Sequence, residues 1–386
     1  MPDQSSSAEN RPAEISSSER RTTEASPYAP ERALPPVQPP TAGFVFQLFV
    51  IPAIIVGIIA VVSLAFSWLA HMGGTPETLV KDLERGGPHS WQTAYNLARE
   101  LQKPGNAALR RDEVLAGKLA KMLERQLDVP LSTYADADGA SRFEPNLRKS
   151  TVQLRNFLCR TLGEFETPVV LPVLIRAATA EEYVAQSPDD FGDEQVRLSA
   201  IEAIAVLAGR IGAERIPDLE AVNGAIHQAA SERSDTEESD DHRPSLRSAA
   251  AFALGVLGGD ANLNRLESLC DDAAPNVRYN AATGLARHGD IRCQDVLLDM
   301  LSIELQETPN ESPESYAEVW KQHTIVSNGL RSVEQLAHVN PSADLAALRQ
   351  AVERLLRSAV SGQILSEART TLDRLDQRKE TSATNG

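Results

Sequence analysis

The sequence predicts an all-α protein, an α-solenoid of stacked helical hairpins that follows a single transmembrane helix and a disordered N-terminal tail. Three observations carry this expectation. Apolar residues recur at helical spacing from Glu77 onward, with almost no alternating β-branched run. Arginine-centred segments of similar composition recur along that part of the chain. An uncharged apolar stretch from Phe44 to Ala70 stands ahead of them.

The tail comes first. Residues 1–43 hold eight Pro and seven Ser, with "PPVQPP" at Pro35–Pro40, and few bulky apolar side chains. Such a segment cannot bury enough surface to offset its chain entropy, so 1–43 is expected to be disordered, with the Pro cluster locally extended. Its expected role is that of a spacer.

Residues 44–70 read "FVFQLFVIPAIIVGIIAVVSLAFSWLA". A helix rises ~1.5 Å per residue and a bilayer core of ~30 Å takes ~20 residues, so this stretch is long enough to span with tilt. Phe44 and Trp68 bracket it in the manner of an interfacial aromatic belt. Forty-three residues precede it and no basic n-region abuts it, which predicts an uncleaved anchor in contact with membrane lipid rather than an export signal. Arg32 is the sole cation close upstream, whereas Lys81 and Arg85 follow downstream, so the C-terminal part is expected on the cytoplasmic side. The segment 77–85 is amphipathic enough to lie on a membrane surface.

After the anchor, residues 71–378 are expected to form about fourteen helices broken at clusters such as "KPGN", "GGD" and "AAPN". In "SWQTAYNLARELQ" the apolar positions are Trp91, Ala94, Leu97, Ala98 and Leu101, with Ser90 placed to cap. Four segments align: "QLRNFLCRTLGEF", "QVRLSAIEAIAVLAG", "SLRSAAAFALGVLGGD" and "NVRYNAATGLARHGD". Each holds an aliphatic residue followed by Arg: Leu154-Arg155, Val196-Arg197, Leu246-Arg247 and Val277-Arg278. Leu162-Gly163 and Leu254-Gly255 fall at one offset from their Arg, and shorter helices such as "NLNRLESLCDDA" lie between the segments.

These segments resemble the HEAT repeat family, particularly the short HEAT-like repeats of phycobilisome lyases. "LNRLESLCDDAAPNVRYNAATGLARHGD" is the nearest to the family pattern, and "ETLVKDLERGGPHSWQTAYNLAREL" resembles a degenerate copy. The resemblance runs in patches over 77–305 and fades beyond 310. It implies that the aliphatic-Arg dipeptide opens the second helix of each hairpin and that an Asp in the preceding turn pairs with the Arg. Here Asp271 or Asp272 with Arg278 fits that pattern, so Arg155, Arg197, Arg247, Arg278, Asp271 and Asp272 are expected to be structural repeat positions. Such repeats bury their apolar stripes against one another and need capped ends. The polar helix around "EARTTLDRLDQRK" is expected to close the C-terminal end, with residues 379–386 disordered.

Little in the chain points to chemistry. In "YADADGASRFE" the residues Asp136, Asp138 and Gly139 suit a calcium loop, but Tyr134 and Pro145 would occupy its first and last ligand positions, so a surface loop is expected. Six carboxylates crowd the stretch from Glu232 to Asp241, read as a disordered acidic loop over 231–243 inserted between two helices of one repeat. The seven His are scattered, none is followed by Glu, and no GxSxG, P-loop, GxGxxG or HExxH is present. Cys159, Cys270 and Cys293 form no CxxC, and an odd number argues against a disulfide framework. No catalytic residue, cofactor or metal site is therefore assigned. A net charge of −16 speaks against a nucleic-acid backbone as partner. No small-molecule substrate is identified either. The expected function is a non-catalytic, membrane-anchored scaffold whose concave face binds a protein partner. A bilin-lyase-like or protein-modifying enzyme on the same repeats is the alternative, and a structural spacer the third option.

Overall fold

The structure, a computed structural model, describes residues 42–71, 76–87, 89–134, 144–180, 191–232, 244–305, 312–358 and 361–384. The expectations for the tail up to residue 41, the loop from Ala135 to Phe143 and the acidic segment 233–243 lie outside them. Among the described residues there is no β-strand.

The chain divides into two units, Met1–Gly73 and Gly74–Gly386. In the first, α1 (Ala42–His71) is one continuous helix through Pro52. Pro removes one backbone donor, and the remaining ladder holds. From Phe46 to Ala65 mean hydropathy is 2.9 and none of the window is buried within the protein. It is the one described helix long and apolar enough to cross a membrane.

The second unit is a two-layer stack of helical hairpins. Its helices are α2 (Pro76–Arg85), α3 (Ser90–Gln102), the single turn α4 (Ala107–Arg110), α5 (Glu113–Leu127), α6 (Glu144–Gly163), α7 (Leu171–Ala178), α8 (Asp193–Ile211) and α9 (Leu219–Ser231). There follow α10 (Pro244–Leu257), α11 (Asp260–Leu269), α12 (Pro275–Arg287), α13 (Gln294–Leu301), α14 (Pro313–Val339), α15 (Ala346–Ser358) and α16 (Gly362–Thr384). A front row runs α3, α6, α8, α10, α12, α14, α16, each helix packed on the next. Behind it α5, α7, α9, α11, α13 and α15 each pair with the front helix that follows in sequence.

Front-row composition follows from this arrangement. Each inner front helix is covered on two flanks and at its back, so it must be apolar round most of its girth and narrow enough to let both neighbours approach. In α10 Ala249, Ala250, Ala251 and Ala253 are all buried, with Leu246, Leu254 and Leu257 between them. The closest approaches fall at glycine. A Cβ on Gly255 would lie 2.6 Å from the Cα of Gly284, and one on Gly163 2.8 Å from the Cα of Ala203. Gly163 and Gly255 sit eight residues past their repeat arginines, and Ala203 and Gly284 six past theirs. One register therefore sets both crossings. Two of the back helices, α5 and α9, start with side-chain caps: Asp112 accepts from the Leu115 amide and Asp218 from that of Ala221.

Four details differ from the sequence reading. Ser90 is the first residue of α3 and buried, while His89 takes the N-cap position without a side-chain bond. The apolar face of α2 is already covered, with Val80 and Leu83 buried in the core and α2 packed on α3, so it does not serve as a membrane-surface helix. The stack continues past 310, where α14–α16 occupy the same layers although the arginines of Leu330-Arg331 and Leu348-Arg349 are not buried as Arg155, Arg197 and Arg247 are. Finally, residues 379–384, expected to be disordered, extend α16 to Thr384, because "KETSAT" contains neither Gly nor Pro to stop a helix already running.

Candidate functional site

The repeat arginines lie at the rear of the front row, where each meets the C-terminal end of the back helix before it. Arg155 donates to the carbonyls of Gln126 and Val129 beyond α5, and Arg197 Nε to Ala178 O at the end of α7, 3.0 Å away. Arg247 Nη1 donates to Glu232 O beyond α9 at 3.0 Å, and Arg278 Nη1 to Asp272 O and Ala273 O beyond α11 at 2.8 and 3.0 Å. Helix C-termini leave carbonyls without intrahelical donors and carry partial negative charge, so a buried guanidinium is a fitting cap.

Each of the first three arginines also meets a carboxylate supplied from further along the stack. Arg155 stands 3.7 Å from Asp193, the first residue of α8, with both side chains buried. Arg197 pairs with Glu232. Arg247 holds Asp272 through two bonds, Nε to Oδ2 at 2.8 Å and Nη2 to Oδ1 at 3.0 Å. Glu232 and Asp272 thereby serve two arginines each, the carboxylate on one and the backbone carbonyl on the next. The carboxylate of Asp272 thus reaches back to Arg247 rather than to Arg278, the partner that sequence resemblance implied, and Asp271 is exposed. The reason is geometric. Asp272 Oδ1 also accepts the Ala274 amide at 2.9 Å, a tight turn that leaves only the carbonyl of Asp272 for Arg278. Glu232 has no such signal in the sequence, because the insertion at 233–243 carries it 15 residues ahead of its arginine instead of six.

With arginines and carboxylates committed to the framework, the exposed surface of the front row falls on other positions. Five and nine residues past each arginine stand Arg160 and Glu164, Glu202 and Val206, Phe252 and Val256, Thr283 and Arg287. Unlike the framework, these positions share no residue type; Arg160, Val206 and Phe252 are exposed, Glu202, Val256, Thr283 and Arg287 half-buried, and Glu164 is buried. Phe252 is 39% and Val206 37% exposed, high for apolar side chains on helices otherwise this buried.

At the α3–α6–α8 end the stripe deepens into a cleft of about 330 Å3, lined by Tyr95, Ala98, Phe157, Ala203 and Val206 with polar groups at its rim. Phe157 anchors it, stacked on Trp91 at 5.8 Å and edge-on to Tyr95 at 5.4 Å. Of the rim carboxylates, Glu164 pairs with Arg210 and accepts from Gln102 at 3.0 Å, while Glu202 lies 3.7 Å from Arg160. Arg99 stands over the Tyr95 ring at 5.9 Å, Arg160 over Phe157 at 5.9 Å, and Arg287 over Phe252 at 5.9 Å.

Among the described residues no three His, Cys, Asp or Glu come together in a metal-holding group. His227 binds Asn262 at 2.8 Å and His288 the Gly255 carbonyl at 2.9 Å, so both are tied into helix packing. Burial pushes all three thiols up to about 12, in Cys270 and Cys293 with help from neighbouring negative groups, which leaves them protonated at neutral pH.

Residues 236–306 match the family of HEAT repeats, and this part of the chain therefore carries HEAT repeats. No curated protein matches the chain. Among solved structures it is similar to the Escherichia coli protein YibA, at 17% identity and a TM-score of 0.36 over 75% of this chain and 83% of that one. It is also similar to two engineered proteins, each at 14% identity. One has a TM-score of 0.35 over 79% of this chain and 99% of its own. The other has a TM-score of 0.32 over 78% and 97%.

Proposed function

We propose that this protein is a single-pass, membrane-anchored HEAT-repeat scaffold that holds a protein partner along the exposed stripe of its front row, the concave face of the solenoid, without catalysing a reaction. The observation that carries this reading is the separation of roles along each front helix. One set of positions repeats and is tied into the arginine framework, while the positions five and nine residues further on differ from repeat to repeat and include the exposed side chains Arg160, Val206 and Phe252. A repeat stack presents one such position per helix, so a partner is held by distributed contacts over a long surface. HEAT repeats usually act as protein-interaction scaffolds, which is consistent with it.

The anchor rests on α1, whose apolar side chains find no cover within the protein from Phe46 to Ala65. Lys81 and Arg85 beyond it, against Arg32 before it, place the solenoid on the cytoplasmic side in this reading. The test is photo-crosslinking of full-length protein in native membranes, with a photoreactive residue at Phe252 and a control at exposed Val114 on the back layer. Partner adducts at 252 and none at 114 support the scaffold. Equal labelling at both positions, or none at either, counts against it.

A further inference from the structure

We propose that the partner segment held by the front-row stripe is an extended, acidic peptide of about a dozen residues; this deepens the scaffold reading and rests on it. Three arginine–aromatic stations lie along the stripe: Arg99 with Tyr95 on α3, Arg160 with Phe157 on α6, and Arg287 of α12 with Phe252 of α10. The chain as a whole carries 54 acidic against 38 basic side chains, so arginines without a paired carboxylate are a departure from its own background. Glu164 is engaged by Arg210, whereas Glu202 lies 3.7 Å from Arg160 in an exposed pair, so the middle station takes an incoming carboxylate only in exchange for Glu202. No carboxylate among the described residues pairs with Arg99 or Arg287. Burial also holds the Arg287 guanidinium below its ordinary value, a cost that an incoming anion relieves.

The stations set the shape of the ligand as well as its charge. Packed helices lie about 10 Å apart, so the four steps from α3 to α12 cover about 40 Å. An extended chain at ~3.3–3.6 Å per residue crosses that distance in about 12 residues. A guanidinium over a ring can still offer its edge to a carboxylate in a bidentate contact, at Arg99 and Arg287 directly and at Arg160 in exchange for Glu202. Between the first two stations the cleft walled by Tyr95, Phe157 and Val206 accepts one apolar or aromatic side chain of the same peptide. The fitting sequence therefore carries several Asp or Glu with one bulky apolar residue near one end.

The experiment uses full-length protein in detergent micelles and fluorescein-labelled 12-residue peptides read by anisotropy. One peptide alternates Glu with Ser and carries one Phe near its end. A second has every Glu replaced by Gln, and a third by Lys. The acidic peptide is expected to bind, to weaken as salt rises, and to lose about tenfold in affinity in Arg287→Ala and again in Arg99→Ala. Arg99 is exposed and Arg287 half-buried, and the melting temperature verifies that each variant is folded. Equal binding of the acidic and Gln peptides, no binding of any peptide, or unchanged affinity in the double variant Arg99→Glu/Arg287→Glu overturns the proposal. The photo-crosslink at Phe252 separates this failure from that of the scaffold reading. A partner adduct on a neutral or basic stretch rejects the acidic class and keeps the scaffold. An adduct on this chain's own residues 233–243 rejects an external ligand.

Discussion

Asp272 accepts two hydrogen bonds from the Arg247 guanidinium through its carboxylate, an amide from Ala274, and through its carbonyl a bond from Arg278. Removing the charge on either side of the Arg247–Asp272 pair leaves the other buried without compensation. Arg247→Ala and Asp272→Asn are each expected to destabilise the fold by about 3–5 kcal/mol, whereas Asp271→Asn next door costs less than about 0.5 kcal/mol. Urea unfolding of the three variants checks this, and a double-mutant cycle isolates the pair term. Glu166 makes a second residue-scale case. Hydrogen bonds from Arg110 and Arg111 hold its carboxyl below the ordinary carboxylate range. A depressed folded-state pKa contributes stability that is present above the unfolded value of about 4.3 and is lost as pH falls through the folded one. The stability difference between wild type and Glu166→Gln is therefore expected to be largest near neutral pH and to vanish in acid, as read from melting temperatures across pH 2.5–7. The thiols at about 12 predict in turn that Cys159 and Cys293 resist maleimide at pH 7 in the native protein and react once it is unfolded in urea.

At the scale of elements, the crossing of α10 and α12 is set by two glycines in backbone contact. Adding one methyl group at Gly255 brings it to 2.6 Å from the Gly284 Cα, and backbone cannot move aside as a long side chain can. Gly255→Ala is expected to cost about 1–3 kcal/mol, measured by chemical denaturation, while Gly117→Ala in α5, whose new Cβ meets nothing within 4 Å, is neutral or stabilising. The last hairpin is joined differently. Arg349 and Arg374 reach across to Asp376 and Glu334, and Thr371 Oγ1 donates to Glu334 at 2.9 Å. These links are more exposed than the buried arginines of the inner repeats, as suits an end repeat with one side in water.

For the whole molecule, the two units obey different solvents. The 20 residues of Phe46–Ala65 contain no charge and no buried side chain, whereas the second unit covers its apolar residues by stacking. Full-length protein is expected to stay in the membrane pellet after alkaline carbonate extraction and to enter solution only with detergent, which fractionation and immunoblotting would read. The helical class, the apolar segment and the recurring arginines are all legible in the residues, because helical periodicity, hydropathy length and short-range repetition are properties of neighbours along the chain. The stripe proposed to hold a partner is partly legible: once the arginines are aligned, the positions five and nine residues on can be counted, but nothing local says which of them are exposed.

The sequence by itself determined that this chain is helical, that it repeats, and that Phe44–Ala70 differs in solvent preference from everything after it. Each of these follows from composition and period. Only the tertiary structure decided that Asp272 belongs to Arg247, that Glu232 joins the same relay across an insertion, and that Tyr95, Phe157 and Val206 wall one cleft. Those facts concern residues 15 to more than 100 positions apart. Their pairing is fixed by how far each hairpin advances the stack, a distance that local propensities do not encode.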